Sequence, residues 1–371
     1  LKNWLGHRGQ RGLPAWSRWA PLTLLAWVAR RRRAAGWYDR CTLALYRRIW
    51  VRGGGATELL SYAMFCRDLG RPLAARQVPL LRQALPQLSA PKRRIALDLL
   101  AEAECQSADV SVDGPASEIQ ASIRAMQTAW RAEFAQWLLQ RRSGGICIVG
   151  NGGQLLGSGL GGEIDRYPVV VRFNQFRGSS SITADIGDRL EVWVTAPGYS
   201  GAVPPGVPWV VISGPEMAFK LQDWGRFEAS RKWGARVLTV PLQAWSELVR
   251  VFDAPPSAGL LFLAWARSLL GSWGPIRAVG FGRVTAGAMP YHHADANHRP
   301  ASRHNWPAER RLLRVWQEQG LHVDLSSELP IVVTESRALL RLPGLAALLG
   351  AEVTRAGIWT HAQGATGILA W

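Results

Sequence analysis

The chain has 371 residues, 48% of them hydrophobic and 19% charged, and its 44 Lys and Arg against 27 Asp and Glu give a formal charge of +17. At a usual domain size of roughly 100–200 residues this is material for two domains with a real core, and it is too apolar for a disordered or collagen-like chain. The uncharged, largely apolar run at residues 19–29 contains Pro21 and falls well short of the roughly 20 apolar residues that cross a bilayer.

Residues 1–50 hold eleven Lys or Arg against Asp39 alone, so more than half of the net charge sits in this short stretch. It interleaves Trp4, Trp16, Trp19, Trp27, Trp37 and Trp50 around the cluster Arg30–Arg33. Trp favours the lipid headgroup boundary and Arg pairs with lipid phosphates, so one reading is a segment lying on an anionic membrane surface. The other is tryptophans packed inside a small helical domain with solvated arginines. No nucleic-acid motif accompanies the charge, and nucleic acid is not expected as a partner. The sequence opens on Leu1, which leaves room for a targeting segment before it.

Residues 56–105 read as short helices broken at Gly70-Arg71-Pro72 and Ala90-Pro91, and 106–116 as a linker. Ile119, Ile123, Met126, Trp130, Phe134, Trp137 and Leu138 then recur at three- and four-residue spacing, which predicts an amphipathic helix. The division expected is a basic helical region over 1–115, for docking on a membrane surface or an acceptor, and a second domain over 116–371. Cys41, Cys66, Cys105 and Cys147 are scattered; they form neither a zinc pattern nor a disulfide framework and fit buried thiols in a reducing compartment.

From Gly145 onward, short β-branched runs appear at 146–149, 169–173, 192–194, 209–212, 237–240, 276–279 and 331–333, with helical stretches such as 260–270 and 309–319 between several of them. Alternating strands and helices predict a mostly parallel, Rossmann-like α/β sheet covered on both faces. Ligands of such sheets sit beyond the C-terminal strand ends, so the loops after the first, second and sixth strands are the places to look. The first loop is rich in glycine, and Gly157-x-Gly159-x-x-Gly162 formally fits a dinucleotide fingerprint. Seven residues separate that pattern from its strand, which keeps an NAD(P)-dependent oxidoreductase as a lesser alternative. The second loop presents Asn174, suited to a base, a ribose or a phosphate, or simply to a turn.

Several segments occur in one order: Val149-Gly150-Asn151-Gly152-Gly153, Gly157-Ser158-Gly159, Glu163-Ile164-Asp165, Val171-Arg172-Phe173-Asn174 and Asp185-Ile186-Gly187. Together they resemble the large sialylmotif of glycosyltransferase family 29, the sialyltransferases. Pro256-Ser257-Ala258-Gly259, a hydrophobic helix and Val279-Gly280-Phe281-Gly282 resemble the small motif. His292-His293-Ala294-Asp295 is similar to the third motif, and His304-Asn305-Trp306-Pro307-Ala308-Glu309 to the very short one. The resemblance covers residues 146–319, about half of the chain. The family's Asn-x-Ala-Pro becomes Asn174-Gln175-Phe176-Arg177, and Ile146 and Trp273 stand where the animal enzymes place a bridging cysteine pair; the match is to a bacterial, disulfide-free type.

The resemblance implies a sialyltransferase-type variant of the GT-A fold and inverting transfer of a 2-keto sugar acid, sialic acid or Kdo, from its CMP ester to a glycan or glycolipid hydroxyl. It makes His304 the general base, Glu309 a support for it, and His292 the donor to the leaving phosphate, with His293 a rival for that place. Asn151, Gly152, Asn174, Ser257, Ala258 and Gly259 would hold the donor. No metal or other cofactor is expected. The basic N-terminus suits an acceptor such as lipopolysaccharide, with the protein cytoplasmic and peripheral to the inner membrane. A non-catalytic CMP-sugar-binding relative is the other alternative.

Overall fold

The computed structural model describes residues 13–71, 73–105, 115–176, 182–197, 199–214, 234–281, 291–295, 297–324 and the short strands 351–353, 358–361 and 366–368. A seven-stranded, all-parallel sheet forms the centre: β1 (Ile146–Val149), β2 (Val169–Phe173), β3 (Val192–Thr195), β4 (Trp209–Ile212), β5 (Arg236–Thr239), β6 (Ile276–Val279) and β7 (His322–Asp324), in the order β5-β4-β3-β2-β1-β6-β7. Every residue of β1 to β4 is buried. That is why these strands are continuous β-branched runs without a polar alternation, as a sheet covered on both faces requires. The chain winds from β1 outward to β5 and then crosses back to place β6 on the other side of β1, which puts a topological switch point at the β1–β6 boundary.

Six of the seven expected strands are present, with β5 displaced by one residue. The seventh expected run, 331–333, lies outside the described residues. The seventh observed strand, His-Val-Asp, is too short and polar to read from sequence; pairing with β6 defines it. Ala351–Val353, Ile358–His361 and Thr366–Ile368 form a separate three-stranded antiparallel sheet.

Nine helices surround the main sheet among the described residues: α1 (Leu22–Ala34), α2 (Arg40–Gly53), α3 (Ala56–Asp68), α4 (Gln77–Ala84), α5 (Ala90–Cys105), α6 (Pro115–Arg141), α7 (Leu242–Phe252), α8 (Ala258–Leu270) and α9 (Trp306–Glu318), besides single turns. The amphipathic helix predicted from Ile119 onward is α6, and it begins inside the expected linker, whose residues 106–114 are not described. Helix α6 seals the edge of the sheet. Buried Gln127 donates to the Val237 carbonyl at 2.9 Å and accepts from Thr239 N at 2.9 Å, and Arg131 Nε donates to the Thr239 carbonyl. Edge-strand groups that would otherwise be open are thereby paired.

Helices α1 and α2 and one face of α3 share the sheet's core, while Leu59, Leu81, Ile95 and Leu99 of α3–α5 form a cluster of their own. Leu25, Val28, Leu45, Ile49 and Phe65 lie in one buried cluster with Ile148, Val171, Phe262 and Trp316. Half of the arginine cluster faces inward. Arg32, fully buried, pairs with Asp39 at 2.6 Å and lies 4.3 Å from the Trp37 ring, while Asp39 also caps α2 through Thr42 N. Arg33 pairs with Asp68 at 2.8 Å. Trp37 is buried and Trp50 stacks on Tyr62 at 5.3 Å, whereas Trp19 is 87% exposed and Trp27 40%. The reading of tryptophans packed inside a helical domain fits Trp37 and Trp50. Cys41, Cys66 and Cys147 are buried and free, and no described helix is long and apolar enough to cross a membrane.

Candidate active site

A cavity of about 1300 Å³ opens beyond the C-terminal ends of β1, β2 and β6, where the switch point predicts it. Its floor is the Gly150-Asn151-Gly152 turn packed on Gly280. Gly150 N donates to the Val279 carbonyl at 2.7 Å, and Gly152 N to the Gly280 carbonyl at 3.2 Å. A Cβ on Gly150 or Gly152 would come within 2.7 or 2.6 Å of the Gly280 oxygen. Two backbones can meet this closely only because side chains are absent from the turn.

Asn174 ends β2 with φ of 44°, in the left-handed region that Asn tolerates. Its Oδ1 accepts from Ala196 N at 2.8 Å, and its carbonyl accepts from Trp193 Nε1 at 2.9 Å. Among the described residues its Nδ2 keeps both hydrogens to give, on the cavity wall. Asn151 is held differently. Its Nδ2 is spent on the carbonyls of Phe173 (2.9 Å) and Gln175 (3.3 Å), and its Oδ1 is buried. Asn151 lines the cavity but clasps the β1 loop to the β2 loop, because those carbonyls at the strand end need a donor.

The remaining large-motif residues are scaffold. Asp185 accepts from Gly157 N at 2.8 Å and Gly159 N at 2.9 Å. Asp165 accepts from Asp188 N and Arg189 N, each at 2.9 Å. Fully buried Arg172 donates to the carbonyls of Arg189 and Ile186. This corrects the dinucleotide alternative: the glycine amides that would have cradled a pyrophosphate are taken by a carboxylate, and Gly157 and Gly159 stand apart from the cavity lining.

Ser257 caps α8, its Oγ accepting from Leu260 N at 3.4 Å. Ser257, Ala258 and Gly259 line the cavity, so the first turn of α8 brings unpaired amide hydrogens and the positive end of the helix dipole to it. At Gly259 a Cβ would come within 2.6 Å of Phe281, which ties this turn to the β6 loop. Glu309, 4% exposed, accepts from Ser257 N at 2.7 Å. Burial pushes its carboxyl up to about 7, against the opposing pull of the Ser257 hydrogen bonds and Arg310. Glu309 thus supports the small-motif turn directly, joining α9 to α8.

His304 Nδ1 lies 2.9 Å from the Pro255 carbonyl. A carbonyl can only accept, so Nδ1 carries the hydrogen and the neutral ring holds its lone pair on Nε2. Asn305 fixes the same loop, donating to the Phe252 carbonyl at 3.0 Å and capping α9 through Ala308 N.

His292 is the mirror case. Its Nδ1 accepts from Ala294 N at 3.1 Å, which leaves the hydrogen on Nε2. Burial, then His293 and His298, lower it to about 4 against the opposite effect of Asp295, so it is neutral near pH 7. His292 lines the cavity; His293 packs beneath, its Nε2 2.9 Å from the Phe176 carbonyl. The two histidine motifs are linked by rings: His292 to His298 at 4.9 Å, His298 to Tyr291 at 5.9 Å, Tyr291 to Trp306 at 6.0 Å and Trp306 to His304 at 5.1 Å. Tyr291 was not readable from sequence, since it carries no motif of its own.

The cavity's remaining wall comes from the N-terminal helices. Ala26, Arg30, Arg33, Tyr38, Tyr46 and Asp68 from α1–α3 face the same space as His304 and Ser257. Charge was legible in residues 1–50, but not its position. Among the described residues no group of three or more His, Cys, Asp or Glu is arranged to hold a metal ion.

Residues 116–203, running from α6 through β3, match the family model of glycosyltransferase family 29 (sialyltransferase). Among solved structures, a mammalian sialyltransferase is similar at 17% identity with a TM-score of 0.38, covering 49% of this chain and 69% of that one. A mammalian sialyltransferase in complex with Gal-beta-1-3GalNAc-ortho-nitrophenol matches at 15% identity with a TM-score of 0.41, covering 70% and 89%. No curated protein matches in sequence.

Proposed function

We propose that this protein is an inverting, metal-independent glycosyltransferase of the bacterial sialyltransferase type, moving sialic acid or Kdo from its CMP ester to a glycan or glycolipid hydroxyl. The convergence of the α8 N-terminus, His292, Asn174 and His304 on one cavity carries the reading. The family-model match over 116–203 adds to it.

In this reading the acceptor oxygen forms a bond to the anomeric carbon as the bond from that carbon to the phosphate oxygen breaks. The electron pair leaves with CMP, and the acceptor's proton passes to His304 Nε2 and then to solvent. His304 suits the task because the Pro255 carbonyl presets its tautomer. The amides of the α8 first turn and the Nε2–H of His292 meet the departing phosphate's charge, and Asn174 Nδ2 binds the nucleotide. Asn151, Gly152 and Glu309 act by holding these groups in place. We place the protein in the cytoplasm at the inner membrane, with Trp19 and Trp27 on its lipid-facing side and an acceptor of the lipopolysaccharide kind.

The test is CMP release from CMP-Neu5Ac and from CMP-Kdo, incubated separately with the full chain, with and without EDTA. Turnover of either donor, unaffected by EDTA and lost in His304→Ala while CMP still stabilises the variant, is the expected result. CMP stabilisation without turnover of either donor would favour the binding-protein alternative. Full activity in His304→Ala would remove the base.

A further inference from the structure

The wall contributed by α1–α3 has a chemistry of its own. Arg30, Arg33 and Arg303 line the cavity beside the hydroxyls of Tyr38 and Tyr46, and the carboxylates of this wall are Asp68 and Glu58. Asp68 is already paired with Arg33. Burial works against the Arg33 charge, yet Asp68 and the two tyrosine hydroxyls outweigh it and keep Arg33 a cation. Burial raises both tyrosines, which stay protonated donors. Arg30 and Arg303 are exposed, and no hydrogen-bond or ion-pair partner holds either among the described residues. The wall is therefore cationic, with two forked donors uncommitted.

Its place matters as much as its charge. Arg303 directly precedes His304 in the chain. Gly36, at the α1–α2 turn with φ of 79°, packs so closely on Arg303 that a Cβ there would sit 1.9 Å from the Arg303 carbonyl oxygen. The cationic wall and the loop bearing His304 thus form one joined surface.

We propose that α1–α3 and Arg303 form the acceptor subsite, and that the acceptor carries an anionic group, a sugar carboxylate or a sugar phosphate, gripped by Arg30 and Arg303 close to the hydroxyl that His304 deprotonates. This rests on the transferase reading above and narrows its acceptor to an acidic saccharide. A guanidinium fork meets either anion with two parallel hydrogen bonds, while a neutral glycan would leave both arginines unengaged.

The experiment is calorimetric titration of the CMP-loaded full chain with 3′-sialyllactose (carboxylate), glucose 6-phosphate (phosphate) and lactose (neutral), on the native protein and on Arg30→Gln/Arg303→Gln. At least one anionic ligand binds ten-fold or more tightly than lactose, and the double variant loses that advantage without losing lactose binding. The carboxylate and phosphate arms separate the two sources of charge, and Arg303→Lys keeps part of the preference. Equal affinity for all three ligands, or an anion preference that survives in the double variant, overturns the subsite. CMP affinity in the same titrations reports separately on the donor half: if CMP fails to bind while the anion preference holds, the donor reading falls and the subsite stands.

Discussion

Glu309 gives the sharpest physical test, because one buried carboxyl links the two motif helices. It accepts from Ser257 N at 2.7 Å, and burial raises it from 4.5 to about 7. Between those values the folded protein holds a proton on Glu309 that the unfolded chain has released, so folding takes up a proton and stability falls as pH rises across the window. The contribution is fully present below pH 4.5, declines up to about 7 and is flat above it. At about 1.36 kcal/mol per pH unit of displacement, the loss amounts to about 3 kcal/mol. Glu309→Gln cannot titrate, and its amide oxygen can still accept from Ser257 N. Urea unfolding at pH 5 should find the two proteins within about 1 kcal/mol, and at pH 8 the variant should be more stable by roughly 2–3 kcal/mol. Parallel pH–stability curves for the two proteins would refute the reasoning, since they would mean that Glu309 titrates alike in the folded and unfolded states.

His292→Ala should weaken CMP binding by about ten-fold, the scale of one hydrogen bond to a charged group, and leave cytidine binding unchanged; equal losses for both ligands in calorimetry would deny it the phosphate. Gly36→Ala forces a Cβ against the Arg303 carbonyl in a left-handed conformation, which should cost roughly 2–5 kcal/mol and slow CMP release, whereas native stability and turnover would disprove the joint between α1–α2 and the His304 loop. Asp39→Ala leaves Arg32 buried without its carboxylate and α2 without its cap, so denaturant unfolding should show a loss of about 3–5 kcal/mol; a loss under 1 kcal/mol would contradict that account. Trp19→Ala combined with Trp27→Ala should reduce sedimentation with anionic liposomes, and unaltered partitioning would dismiss the lipid-facing surface.

The strands were legible because a parallel sheet covered on both faces demands uninterrupted β-branched runs, and β1 to β6 carry them. The stretches 260–270 and 309–319 were legible as helices, and the structure starts them a turn earlier, at the Ser257 and Asn305 caps. The family-like motifs marked which loops meet. They did not distinguish Asn174, whose Nδ2 reaches the cavity, from Asn151, whose amide is consumed by the Phe173 and Gln175 carbonyls. Nor did they separate His292 from its neighbour beneath it. Those assignments depend on which strand-end carbonyl lies nearest, a matter of register between strands.

By itself, then, the chain's order of residues determined strands β1 to β6, the helices between them and the loops where chemistry gathers, because each follows from periodicity or from contacts a few residues long. Only the tertiary structure decided that the basic N-terminal helices wall the cavity, that Arg32 and Arg33 turn inward while Arg30 stays open, and that Gly157 and Gly159 serve Asp185 rather than a nucleotide. The physical reason is that charge and hydrogen-bonding capacity are properties of a residue, but their engagement depends on partners that folding brings from far along the chain.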